Sequence, residues 1–129
     1  MMRRHAGSIG AVFGLIAVAL GAFAAHALKA RLSANALEWF RTGVEYQFWH
    51  ALAIIALARA ERRGPAVCAC SAFAIGIVLF SGSLYGLALA APEGRWFGAI
   101  TPFGGVSFLV GWVLAIAALW PRTETTERA

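Results

Sequence analysis

The segment from Ser8 to Leu28, SIGAVFGLIAVALGAFAAHAL, contains a single ionisable side chain among apolar and small residues. As an α-helix with a rise of 1.5 Å per residue it would be about 31 Å long, which matches the hydrocarbon core of a bilayer. The whole chain has the same character, because 60% of its 129 residues are hydrophobic and only 13% are charged, with a mean hydropathy of +0.72. The sequence therefore predicts an integral membrane protein without a separate soluble domain.

Three further apolar runs follow the first, and each should be a helix because backbone groups in lipid must satisfy their own hydrogen bonds. We expect helices over about 8–28, 44–60, 66–91 and 97–120, with a short amphipathic segment over 29–43 and a polar, disordered tail over 122–129. Short connections between the later helices make neighbours antiparallel. The predicted fold is an all-α membrane protein, a four-transmembrane-helix up-and-down bundle that forms one domain over 1–121.

The basic residues that give the net charge of +5 lie at the ends of the apolar runs, where they would meet lipid headgroups. This placement indicates the lipid bilayer, and not nucleic acid, as the partner of these charges. With four crossings, seven Lys and Arg residues lie on the amino-terminal side and four on the other. Both termini are therefore expected in the cytoplasm, although Lys29, Arg31 and Arg41 in the first loop favour the opposite orientation.

Small residues recur at steps of three and four in the first and third runs. Such stripes allow helices in lipid to approach closely, and the same GxxxG spacing is typical of membrane helix dimers. The glycines expected to pack helices are Gly7, Gly10, Gly14, Gly21, Gly76, Gly82, Gly86, Gly104 and Gly111. The same stripe of small residues is expected whether the helix packs within one chain, in a homo-oligomer or in a larger membrane complex. These three alternatives therefore stay open.

Eight polar side chains interrupt the runs at similar expected depths, which predicts a polar layer in one leaflet. They are His26, Glu45, Gln47, His50, Ser81, Ser83, Tyr85 and Thr101. An ionisable residue inside a membrane helix is by default a candidate functional site. If these side chains converge, they could pass a proton, or His26, His50 and Glu45 could bind a divalent metal. Alternatively, each bonds a neighbouring backbone group or pairs with a basic residue at the interface.

Nothing in the sequence indicates catalysis. There is no nucleophile with a base at a recognisable spacing, no phosphate-binding loop and no HExxH pattern. Cys68 and Cys70 are separated by one residue, which is typical of neither a redox pair nor a zinc site, and we interpret them as small apolar side chains. The sequence therefore predicts no enzyme, no cofactor and no resident metal.

Arg3, Arg4 and the Ala22–Ala24 pattern of small residues around the first run are also typical of a cleavable signal peptide. The regular small-residue stripe of this run favours a retained helix, because a discarded segment needs no packing face.

Four blocks resemble signature motifs of the domain of unknown function 423 family. They are Leu20 to Lys29 (LGAFAAHALK), Thr42 to Ala53 (TGVEYQFWHALA), Leu79 to Leu89 (LFSGSLYGLAL) and Gly98 to Gly105 (GAITPFGG). The family comprises small bacterial inner-membrane proteins similar to the eukaryotic transmembrane protein 256. The resemblance implies a four-helix protein of the bacterial inner membrane with a retained first helix, and it supplies no reaction or substrate. Trp49 stands where the family more often has Tyr, so no family-wide hydroxyl role is implied there.

Three functions remain open from the sequence. The first is a structural or accessory protein that packs through its small-residue faces. The second is a small channel, carrier or proton-linked module that uses the polar layer. The third is a protein that binds a lipid or quinone headgroup with the basic and aromatic residues of the first loop and the start of the second helix.

Overall fold

The computed structural model describes residues 2–60, 63–90 and 92–121, and within them the chain is helical apart from short connections. Helix α1 runs over Met2–Phe23 and continues as a π turn over Ala24–Leu28, and α2 runs over Ala34–Leu57. Helices α3 (Arg63–Gly76) and α4 (Gly82–Ala90) are the two parts of one helix, joined by a π turn over Ile77–Ser81. A 3-10 turn over Glu93–Trp96 leads into α5, Phe97–Leu119. The all-helical prediction is confirmed, whereas the predicted tail lies outside the described residues.

Helix α2 begins well before the predicted residue 44, and it absorbs much of the amphipathic segment. Ser33 lies in an extended conformation at the N-cap, and its hydroxyl oxygen accepts a hydrogen bond of 3.2 Å from the backbone N–H of Ala36. Ala36 and Phe40 are buried against Ala24 and Leu28 at the end of the first helix. A capped start and an apolar face therefore hold 34–43 in the helix, although this stretch is too polar to suggest a membrane span.

Within the described residues, three helical stretches are long and apolar enough to cross a membrane: His5–Leu28, Gly64–Ala90 and Glu93–Leu119. Helix α2 is long enough as well, but Glu38, Arg41 and Glu45 lower its hydropathy. The outward faces carry large apolar side chains, and Leu15, for example, is 71% exposed. Such a surface suits lipid and not water, so the structure is that of an integral membrane protein.

The helices pack in chain order as antiparallel neighbours. Helix α1 lies against α2, α2 lies against α3 and α4, and α5 packs on the other side of α3 and α4. In the part of the chain that the structure describes, α5 has no extended backbone contact with α1 or α2. The helices therefore form a curved row, and aromatic side chains of α2 and α5 make contact across the space between these two helices.

Glycine lies where the helices come closest. A Cβ atom on Gly10 would lie 2.9 Å from the carbonyl oxygen of Ala51, and one on Gly104 would lie 2.7 Å from Cα of Phe80. The small-residue stripes of α1 and of α3–α4 thus meet α2 and α5 of the same chain. Six of the other predicted glycines also contact a neighbouring helix: Gly7 against Ala58, Gly14 against Ala51, Gly21 against Val44, Gly76 against Phe108, Gly86 against Phe97 and Gly111 against Phe73. Gly82 was expected in this set, but a Cβ atom there would have no neighbour within 4 Å.

We predict that Gly104→Ala destabilises the protein, because its methyl group would meet the backbone of Phe80 and force α5 away from α3–α4. Overpacking of this kind costs about 1–3 kcal/mol. The matched control is Gly82→Ala, where the added methyl group meets open space and the free energy of unfolding should stay equal or rise slightly. Reversible unfolding in mixed micelles measures both variants. Equal stabilities for the two variants would contradict the close approach of α5 to Phe80.

Candidate functional site

Gln47 joins three helices. Its side chain is only 3% exposed, its Nε2 donates a hydrogen bond of 2.9 Å to the carbonyl oxygen of Phe13 on α1, and its Oε1 accepts one of 2.9 Å from the hydroxyl of Tyr85 on α4. Gly43 makes room for the phenol ring, since a Cβ there would lie 2.7 Å from Cε1 of Tyr85. One amide on α2 therefore fixes the position of both neighbouring helices.

His50 has both ring nitrogens engaged inside the protein. Nε1 of Trp112 lies 3.2 Å from Nε2 of His50, and because an indole N–H can only donate, Nε2 is the acceptor. Nδ1 therefore carries the proton and donates to the carbonyl oxygen of Tyr46 at 2.7 Å. The ring is 4% exposed and stacks on Phe108 with centroids 3.6 Å apart. This arrangement leaves no lone pair on His50 for a metal or an incoming proton.

Two further hydroxyl groups of the predicted set also join helices. Ser83 on α4 and Thr101 on α5 share a hydrogen bond of 2.7 Å. Ser107, which no sequence pattern singled out, donates from α5 to the carbonyl oxygen of Ala72 on α3 at 2.7 Å. The fully buried hydroxyl of Ser81 lies beside Tyr85 but makes no hydrogen bond to a described residue.

His26 and Glu45 lie apart from these groups. His26 is exposed on the π turn that ends the first helix. Glu45 is exposed on α2 beside a shallow groove between α1 and α2. The eight polar residues therefore do not converge on one point, and the described residues contain no group of three His, Cys, Asp or Glu side chains that could hold a metal.

The depth of His50 also differs from the predicted layer. The prediction counted from residue 44 and placed His50 about 9 Å inside the end of its helix. Because α2 begins at Ala34, His50 lies about 24 Å along it at 1.5 Å per residue. Ser83 and Thr101 lie near one end of the bundle, whereas His50 lies near its middle. The buried polar groups are therefore spread along part of the bundle's length and do not form a single layer in one leaflet.

A groove with a volume of about 590 Å³ lies between α2 and α5. Its lining residues are Tyr46, Trp49, His50, Phe80, Pro102, Gly105, Val106, Phe108, Leu109 and Trp112. Tyr46, Trp49 and His50 line it from α2. Their spacing of three and four residues along α2 was the available signal for a shared aromatic face, but the distance to α5 could not be inferred from it.

The two cysteines occupy different environments. Cys70 is buried beside a small apolar cavity of about 50 Å³, and its thiol contacts the carbonyl oxygen of Ile54 at 3.8 Å. Cys68 is exposed on the same helix. The two side chains therefore do not form a common site.

Comparison with known proteins connects the chain to one family. The family model described as "Protein of unknown function (DUF423)" matches residues 20–105, a range that contains the four quoted blocks. No solved structure shows significant similarity to the chain.

Curated relatives extend this match to most of the chain. The UPF0382 inner membrane protein YgdD of Escherichia coli strain K12 is 50% identical over 82% of this chain and 82% of its own length. A UPF0382 membrane protein of Haemophilus influenzae is 49% identical over 80% and 83%, and UPF0382 membrane protein YwdK of Bacillus subtilis is 40% identical over 85% and 91%. Together with the apolar helices, these matches identify a multi-pass inner-membrane protein. The chain belongs to the DUF423 family.

Proposed function

We propose that this protein is a structural accessory component of the inner membrane, a four-span bundle that docks on another membrane protein through its α1–α2 face around Glu45. The observation that carries the proposal is a contrast between buried and exposed polar groups. Gln47, His50 and Ser83 are bonded inside the bundle, whereas the carboxylate of Glu45 faces outward.

The pairing of α1 and α2 supports four crossings. Gly7 lies against Ala58 at one end of the pair, and Gly21 lies against Val44 toward the other. Helix α2 thus runs antiparallel beside nearly the full length of the apolar stretch His5–Leu28. Because a helix packed along a membrane span shares its depth, we propose that α2 also crosses and that both termini are cytoplasmic.

Glu45 lies at a depth where lipid chains cannot satisfy the hydrogen-bonding and charge of its carboxylate. It follows Val44, which lies against Gly21, so it is roughly 10 Å inside the end of the first span at 1.5 Å per residue. Its groove is otherwise lined by apolar and small side chains, including Val18, Ala22 and Phe48, and Glu45 forms no ion pair with a described residue. An ionised group at this depth costs a few kcal/mol unless a partner satisfies it. A transmembrane segment with a basic or hydrogen-bond-donating side chain at this level would do so.

The contacts favour this role over a channel, carrier or proton-linked module. A proton path needs groups that can release and accept protons along a continuous line. His50 is held by two hydrogen bonds, and the side chains of Gln47, Ser83 and Thr101 bond other helices. These groups stabilise the bundle, whereas the carboxylate of Glu45 faces outward on the α1–α2 face.

The crossing number can be tested by labelling single cysteines with a membrane-impermeant maleimide in intact spheroplasts, after Cys68 and Cys70 have been replaced by Ala. With four crossings, Ala30→Cys and Glu93→Cys are labelled, whereas Ala60→Cys reacts only after permeabilisation. If α2 does not cross, Ala60→Cys is labelled together with Ala30→Cys and Glu93→Cys is protected. Labelling of Ala60→Cys alone would confirm four crossings and reverse the proposed orientation.

The docking proposal is tested with the protein tagged at endogenous expression and with a photo-crosslinking residue at Val18, which is 61% exposed beside Glu45. We expect a stoichiometric membrane partner in the crosslinked and purified material. Glu45→Gln should lower its recovery about tenfold or more, because loss of one partner from a buried charge pair costs roughly 2–5 kcal/mol.

Glu38→Gln is the matched control, since Glu38 is also exposed on α2 but lies nearer its beginning. Its partner recovery should equal that of the wild type. Purification of the protein alone or only as a homo-oligomer, or equal recovery with Glu45→Gln, would contradict the proposal.

A further inference from the structure

We infer that the groove between α2 and α5 binds a flat, uncharged ring that carries both carbonyl oxygens and an apolar tail, which is the chemistry of a membrane quinone. This groove shares Trp49 with the α1–α2 face around Glu45, but its other lining residues are its own, and the inference does not depend on docking at that face. It also differs from a headgroup site at the first loop, because neither Lys nor Arg lines this groove.

The shape of the groove follows from the helix arrangement. Backbone packing between α2 and α5 is replaced by ring contacts, such as Tyr46 with Phe108 at a centroid distance of 6.1 Å. Gly105 adds no side chain to the α5 wall, and a Cβ there would touch only the ring of Phe80 at 4.0 Å. The resulting volume of about 590 Å³ lies within the range of about 300–1,000 Å³ that small-molecule sites occupy.

The groove opens toward lipid. Helix α5 belongs to the apolar stretch Glu93–Leu119, and the groove residues Val106 and Leu109 in its middle part are 58% and 68% exposed. A ligand dissolved in the bilayer can therefore enter sideways, with its tail remaining among the lipid chains. A water-soluble ligand would have to cross the hydrocarbon region first.

The unused polar groups identify the ring chemistry. Neither the hydroxyl of Tyr46 nor the indole N–H of Trp49 makes a hydrogen bond to any described residue, and both side chains line the groove. Each of them can donate, which suits carbonyl oxygens on a neutral ring. The surrounding aromatic faces favour a flat group that can stack. A lipid phosphate would find no cation here, and a bare acyl chain would leave both donors unsatisfied.

The test uses nanodiscs containing the full-length protein with Trp39, Trp96 and Trp120 replaced by Phe, so that Trp49 and Trp112 report on the groove. The probe is a decyl-substituted benzoquinone, which quenches tryptophan fluorescence on contact. We expect saturable quenching. Gly105→Leu should weaken the apparent affinity about tenfold or more because its side chain enters the groove, whereas the same change at Gly82, which meets open space, should have no effect.

Tyr46→Phe provides a second variant in which only the hydroxyl is lost. It should weaken binding several-fold, whereas Tyr85→Phe, whose hydroxyl bonds Gln47 outside the groove, should not. Quenching that rises linearly and equally in all variants would overturn the inference. So would equal competition by decanol, because a ring-free chain would then be the natural occupant.

Discussion

Two helices in a bilayer gain no hydrophobic free energy by meeting, so this chain can hold its helices together only by close contact and by hydrogen bonds between them. Both means are present. Gly10 brings α1 onto the backbone of Ala51, and Gly104 brings α5 onto the backbone of Phe80. At the centre, the amide of Gln47 bonds α1 and α4 from its place on α2. Glycine contacts thus set the spacing of the helices, and the polar groups set their register.

This constraint changes how the polar residues of the core are interpreted. A histidine or glutamine inside a membrane helix normally suggests a functional site, yet Gln47 and His50 are bonded to other helices or to the backbone of their own. Among the described residues, and apart from the buried hydroxyl of Ser81, the polar groups that do not hold the bundle together lie on its outside. Glu45 faces outward on α2, and Tyr46 and Trp49 line the groove toward α5. These outward positions, on adjoining faces of α2 that share Trp49, are therefore the candidate functional surfaces.

The sequence was sufficient for the features that depend on hydropathy and small-residue spacing. The apolar stretches His5–Leu28 and Gly64–Ala90 follow directly from composition, as does the use of glycine at helix contacts. It could not reveal that Ser33 starts α2 early, because the stretch that follows is stabilised by burial of Phe40 against the first helix and not by its own hydropathy. That single shift moved His50 to the middle of the bundle. The groove could not be predicted from the sequence either, because the aromatic pattern on α2 does not specify the distance to α5.

A structural role for the buried polar groups is tested most directly by a double-mutant cycle between Gln47 and Tyr85. Gln47→Met and Tyr85→Phe keep the approximate volume of each side chain and remove the hydrogen bond between them. We expect that each change lowers the free energy of unfolding in mixed micelles and that the two effects are coupled by about 0.6 kcal/mol, up to roughly 1.7 kcal/mol. Additive effects, with both single variants as stable as the wild type, would contradict a structural role.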